Sequence, residues 1–183
     1  MKKRLFILVE GEDDVRFFGR IVKPFFVNSY HSVEIIPFAS TKRLKINNFL
    51  ISVSQMNHDY IFVADIDNER SVRDKKQILY HWFTNINGAS IIVVIKEIES
   101  WYYAGLPDAV AHRIGVPVLL STDELTKENF NELIPALFDS RIDFMFEILK
   151  SFSPVTAAER NRSFKFFLTR YNLAEPADAP AQQ

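Results

Sequence analysis

The chain has no cysteine, only five glycines, no apolar run of membrane-spanning length and almost no net charge. Each absence removes a class of function. Without cysteine there is no disulfide framework and no thiolate metal site. Any metal must be held by oxygen or imidazole, which favours a hard ion such as Mg2+ or Mn2+. The glycines form neither a Gly-x-Gly-x-x-Gly pattern nor a Walker loop, which argues against nucleotide-binding enzymes of those types. A net charge of −1 and a pI of about 6.4 supply no global positive field, so any phosphate binding must come from local clusters. His31, His58, His81 and His112 are scattered without ligand spacing and are assigned no role. The basic start Lys2-Lys3-Arg4 is followed by only Leu5–Val9 before acids intervene, too short for a signal-peptide core; the expected location is cytoplasmic, with no membrane partner.

What is present fits one α/β domain with a helical appendage. The chain of 183 residues is 48% hydrophobic and 25% charged, and 17 phenylalanines imply an aromatic-rich core or interface. In the first half, short apolar runs alternate with amphipathic stretches, the pattern of βαβ units around a parallel sheet. Strands are expected at Leu5–Val9, Ser32–Pro37, Tyr60–Ala64 and Ser90–Ile95. Helices are expected over Asp13–Val27, Lys42–Met56 and Ser71–Phe83, with Pro24 ending or kinking the first. From Trp101 onward the pattern is helical, with one helix beginning at Asp123 behind Ser121/Thr122 and another running from Ser153-Pro154 to about Tyr171. The expected organisation is an α/β core over residues 1–105, a packed helical extension over 106–173 and a disordered Ala/Pro/Gln tail over 174–183.

Parallel strands joined by right-handed crossovers present their carboxyl ends at one sheet edge, where open α/β folds bind ligands. The acids fall on that edge. In "LFILVEGEDDVRFF", Glu10 follows the first strand and Asp14 comes one helical turn later. Asp65 and Asp67 close the third strand in "YIFVADIDN", and Glu97 and Glu99 follow the fourth in "IIVVIKEIESW". Glu12 and Asp13 read as residues that complement the first helix dipole. Converging carboxylates stay ionised only when a positive object compensates them, and the reading assigns that role to Mg2+, as one ion or two. Two ions would clamp the attacking and leaving oxygens of a phosphodiester. A site of this kind needs the first and third strands as neighbours, as in the order 2-1-3-4.

Cations cluster at Lys42/Arg43/Lys45, at Arg70/Arg73/Lys75/Lys76 and at Arg160/Arg162/Lys165. Charge runs often mark a solvated helix face. The second cluster starts three residues after Asp67 and is the better phosphate candidate, through Arg70, Arg73 and Lys76. Trp101-Tyr102-Tyr103 offers rings for base stacking, although an aromatic run just after a strand normally packs on the sheet.

"VEGEDD" followed by "ADID" resembles the Glu-Gly-x-x-Asp and Asp-x-Asp motifs of the Toprim domain of topoisomerases, DnaG-type primases and the overcoming-lysogenization-defect nucleases. "KEIESWYYAG" and "RNRSFKFFL" resemble small bacterial single-domain Toprim-like proteins, often found near ATPase partners. The similarity covers most of residues 4–171. It implies a Toprim or Rossmann-like three-layer fold with a four-stranded, mainly parallel sheet. It further implies Glu10 as acid/base residue and metal ligand, Asp65 and Asp67 as Mg2+ ligands, Asp14 as an additional ligand in the nuclease branch, and Lys165 as the cation that stabilises phosphate charge. Arg160 and Arg162 compete with Lys165 or bind phosphate beside it. The chain has no room for a strand-passage or template-binding domain. The expected activity is therefore nuclease or nicking chemistry on nucleic acid, DNA ahead of RNA, with a partner ATPase in phage defence. Two alternatives stay open: a receiver-like phospho-signalling module, with Asp65 as phosphoacceptor and Lys96 nearby, and a non-catalytic Toprim-fold adaptor.

Overall fold

The structure, a computed structural model, describes residues 2–173. The tail expected to be disordered, 174–183, lies outside the described residues. Between Val94 and Ile95 the chain divides into two compact units.

The first unit is a four-stranded, all-parallel sheet in the order 2-1-3-4: β1 (Arg4–Val9), β2 (Ser32–Pro37), β3 (Asp59–Asp65) and β4 (Ile91–Val94). The expected neighbourhood of the first and third strands is therefore realised, with Leu5 opposite Asp59 and Leu8 opposite Phe62. β1, β3 and β4 read as apolar runs because both their faces are buried, whereas the edge strand β2, with Ser32 and Glu34, is only partly buried. On one face Phe6, Leu8, Phe62 and Val93 pack on Ile46, Leu50 and Val53 of α3 (Arg43–Gln55) and on Leu79 of α4 (Val72–Trp82). On the other face, Leu5, Ile7, Val9, Ile61 and Val63 are equally inaccessible. Burying each such side chain contributes roughly 1.5–3 kcal/mol. α4 starts where the sequence placed it, with the Ser71 hydroxyl accepting the Asp74 N–H.

The first helix departs from expectation. Its opening turn is α1 (Glu12–Phe17), with Glu12, Asp13 and Asp14 at the positive end of the dipole. A π-helical stretch (Phe18–Val22) follows, in which Lys23 N–H donates to the carbonyl of Phe18, and the chain continues as α2 (Lys23–Phe26). Pro24 therefore does not end the helix. It sits in the first turn of α2, where a missing N–H leaves no bond unmade, and the widened turn precedes its ring.

The second unit is helical: α5 (Ile98–Ala104), α6 (Asp108–Ile114), α7 (Lys127–Glu132), α8 (Arg141–Lys150), α9 (Pro154–Arg160) and α10 (Arg162–Arg170). Its core is the phenylalanine load anticipated from composition. Trp101 meets Phe164 edge-on at 5.0 Å, and Phe130 lies 5.3 Å from Phe144. Trp101, Tyr102 and Tyr103 are at most 2% exposed, so packing, not base stacking, is their role. Two expected boundaries are corrected. The helix expected at Asp123 begins at Lys127 behind a Thr126 cap, while Asp123 instead accepts the Arg162 N–H at 2.8 Å. The helix expected to run unbroken from Ser153 is interrupted at Asn161, whose side-chain Oδ1 accepts from Phe164 N–H and the Ser163 hydroxyl and so restarts the chain as α10.

Tyr103 offers a check on this unit. Its hydroxyl donates to the Pro117 carbonyl at 2.7 Å, and burial pushes its phenol up from 10.0 to about 12, against a smaller opposing pull from Arg160. A phenol whose folded value is raised contributes stability that is complete below its unfolded value and is lost as pH rises through the folded one. Urea unfolding is expected to show stability falling between pH 10 and 12 more steeply in the parent than in Tyr103→Phe. Equal slopes would place the phenolate in water.

Among the described residues no helix is long and apolar enough to cross a membrane.

Candidate active site

The site lies at the carboxyl edge of the sheet in the first unit. Glu10 leaves the end of β1, and the parallel register with β3 carries it to Asp65, whose backbone N–H donates to Glu10 Oε1 at 3.0 Å. Asp65 itself is the last residue of β3, paired with Val94 of β4. Asp14 is buried at 5% exposure, and its Oδ2 accepts the Gly11 N–H at 3.1 Å, the reach-back half of a capping box. That bond fixes the turn carrying Glu10. Asp67 stands at φ 53°, in the left-handed region that Asp tolerates better than most residues, and this conformation turns the chain out of β3 toward α4.

Lys75, on α4 and 3% exposed, pairs with Asp67 Oδ2. Lys75 thus gives Asp67 a positive partner from the chain itself. Lys75 lies on the inward helical face with Leu79 and Phe83 at i+4 and i+8, a signal readable in the sequence but masked by its membership in a surface-like charge run.

Beside this pair is a cavity of about 280 Å³. Glu10, Asp67 and Lys75 form its charged wall, while Phe38, Ile46 and Leu79 are apolar members of its lining. Arg43 and Trp82 also line it, with the guanidinium carbon 3.8 Å from the indole centroid. Arg43 belongs to the first cation cluster, but residues 39 apart in sequence carry no local sign of meeting. Arg43 is the first residue of α3, behind Lys42, which provides no side-chain cap, and the first turn contains no acid.

Of the other phosphate candidates in this unit, Arg70 and Arg73 are exposed. Lys76 donates to the Gly88 carbonyl at 3.1 Å.

The remaining candidates lie in the helical unit, all but Lys165 in structural pairings. Glu97 Oε2 accepts the Lys127 N–H at 2.7 Å at the start of α7. Glu99, 3% exposed, pairs with Arg141; burial raises its carboxyl above the usual range, opposed by Arg141 among others. Arg160 pairs with Asp108 and donates to the Leu106 carbonyl at 2.9 Å. Arg162 Nε donates to Asp123 Oδ2 at 2.6 Å. Lys165 is exposed on α10 and forms no ion pair among the described residues.

Among the described residues no three Asp, Glu or His side chains are gathered closely enough to hold a metal ion as they stand. Asp67 is turned to Lys75, and Glu10 to the Asp65 amide. The donor set is nonetheless all oxygen and anionic, the chemistry that suits Mg2+ or Mn2+.

No protein-family model, curated protein or solved structure matches the chain.

Proposed function

We propose that this protein performs Mg2+-dependent phosphodiester chemistry on nucleic acid, foremost as a Toprim-type nuclease or nicking enzyme. The observation that carries the reading is the adjacency of β1 and β3, which joins Glu10 to Asp65 and sets Glu10 and Asp67 on one cavity. Glu10, Asp65 and Asp67 are the residues that would hold Mg2+ or Mn2+, with Asp14 bracing the turn. The ion would supply charge neutralisation at the phosphate. Glu10 would move the proton of the attacking group. Arg70 and Arg73, exposed and close in sequence to Asp67, would meet the phosphate backbone of DNA, and of RNA less readily. Of Arg160, Arg162 and Lys165 in the helical unit, Lys165 would be the one left for phosphate, because the other two are engaged in ion pairs. A partner ATPase in phage defence would act beside this chemistry. The receiver-like alternative draws less support, since Lys96 pairs with Glu124 at 2.9 Å. A non-catalytic adaptor would retain the same acids and be separated from the enzyme only by assay.

The test is calorimetric titration of Mn2+ and Mg2+ into the parent and into Asp65→Asn/Asp67→Asn. Binding is expected in the parent and its loss in the double variant, followed by cleavage of oligonucleotides. Absence of binding in the parent, even with a phosphodiester oligonucleotide present, would discard the metal-dependent reading in favour of the adaptor.

A further inference from the structure

We infer that the cavity beside Glu10, Asp67 and Lys75 is a pocket for one unstacked nucleoside of the substrate strand, so that the enzyme acts on single strands or splayed ends in preference to intact duplex. The inference rests on the phosphodiester reading and deepens it by naming the form of substrate.

Its size is the first argument. At about 280 Å³ the cavity is near the lower end of small-ligand sites, on the order of 300 Å³, and matches one base with its sugar rather than a stacked pair. Its polarity is the second. Its lining combines apolar and aromatic side chains, Phe38, Leu79 and Phe83, with the charged Glu10, Asp67, Lys75 and Arg43. A ligand complementary to such a lining is flat and apolar over its ring faces and polar at its edge, where Lys75 and Arg43 offset the two carboxylates. A nucleotide has that form.

The third argument is Arg43. Its guanidinium lies over the Trp82 ring, a geometry that holds the side chain in place without using its N–H donors, and that side chain makes no ion pair or hydrogen bond among the described residues. A planar cation anchored in this way offers its outer face to a base and its N–H edge to a phosphate. Thr41 adds a hydroxyl to the same wall.

A base inside such a pocket has left its stack. In duplex that departure costs a few kcal/mol, and in a single strand much less. The preference for unpaired substrate follows from the cavity alone.

The test uses deoxycytidine in EDTA, so that no metal enters. Saturation-transfer NMR on the full chain is expected to show transfer to the base protons, with a Kd on the order of 1 mM. Ala39→Trp, which fills the mouth from an exposed loop position, is expected to weaken binding about tenfold; Arg43→Ala, also exposed, should do so by about threefold. No transfer at about 10 mM deoxycytidine, or equal affinity in the parent and both variants, overturns the pocket. Metal binding in the calorimeter without a nucleoside signal refutes this inference alone. A nucleoside signal without metal binding instead removes the phosphodiester reading and leaves the pocket standing.

Discussion

Exchanging Glu10 for Gln is expected to lower Mg2+-dependent cleavage by at least about 100-fold while leaving the fold intact. The two halves of that expectation have separate causes. Gln keeps an oxygen where Glu10 Oε1 accepts the Asp65 N–H at 3.0 Å, so the joint between β1 and β3 survives. It removes the negative charge and the proton-accepting capacity that the proposed chemistry uses. Asp65→Asn should behave alike, because its backbone N–H is unchanged. Far-ultraviolet circular dichroism and urea midpoints would establish the intact fold, and single-turnover cleavage of a labelled oligonucleotide in Mg2+ would read the rate. Parental rates in both variants would show that this edge of the sheet is not the active centre.

The second large effect concerns stability and an asymmetry between the partners of one ion pair. Lys75 is enclosed, with a side chain 4% exposed, whereas Asp67 is 57% exposed. Removing the lysine releases an acid that water can solvate. Removing the acid leaves a buried ammonium without its partner, the arrangement that makes breaking such pairs costly. Asp67→Asn is therefore expected to cost about 2 kcal/mol, below the usual figure for a wholly buried pair because Glu10 lines the same cavity. Asn also tolerates the positive φ at this position, so backbone strain contributes little. Lys75→Met, which fills the space left by the stem, should cost under about 1 kcal/mol. The double variant should recover most of the loss. Urea unfolding of the four proteins closes this cycle. If the two single variants prove equally mild, Lys75 is not the counter-charge of the acidic edge.

The acids and the sheet were legible for related reasons. Leu5–Val9, Tyr60–Ala64 and the run before Glu97 are apolar without alternation, which a strand buried on both faces requires, and helical spacing between them forces parallel crossovers. With that topology the residue after each strand must reach the same edge, so Glu10, Asp65 and Asp67 could be singled out. Glu97 and Glu99 follow their strand by the same rule, yet they are engaged with Lys127 and Arg141. Their partners lie 30 and 42 residues away, beyond any local pattern.

Likewise, Asn161 looked like one polar residue within a helical pattern, and only its bonds to Phe164 and Ser163 divide that helix in two. Pro24 does not end its helix: a residue that breaks an ideal helix is accommodated once the preceding turn widens.

By itself, then, the sequence determined the strand pattern, the helical second half and the acids at one sheet edge, because periodicity and strand polarity are properties of the chain taken a few residues at a time. Tertiary structure alone decided which charges are already paired, that Lys75 stands among the acids, and that Arg43 lies over Trp82 beside a cavity. Those outcomes depend on burial and on contacts between residues distant in sequence, where the cost of leaving a charge unpaired is set by surroundings that no local pattern encodes.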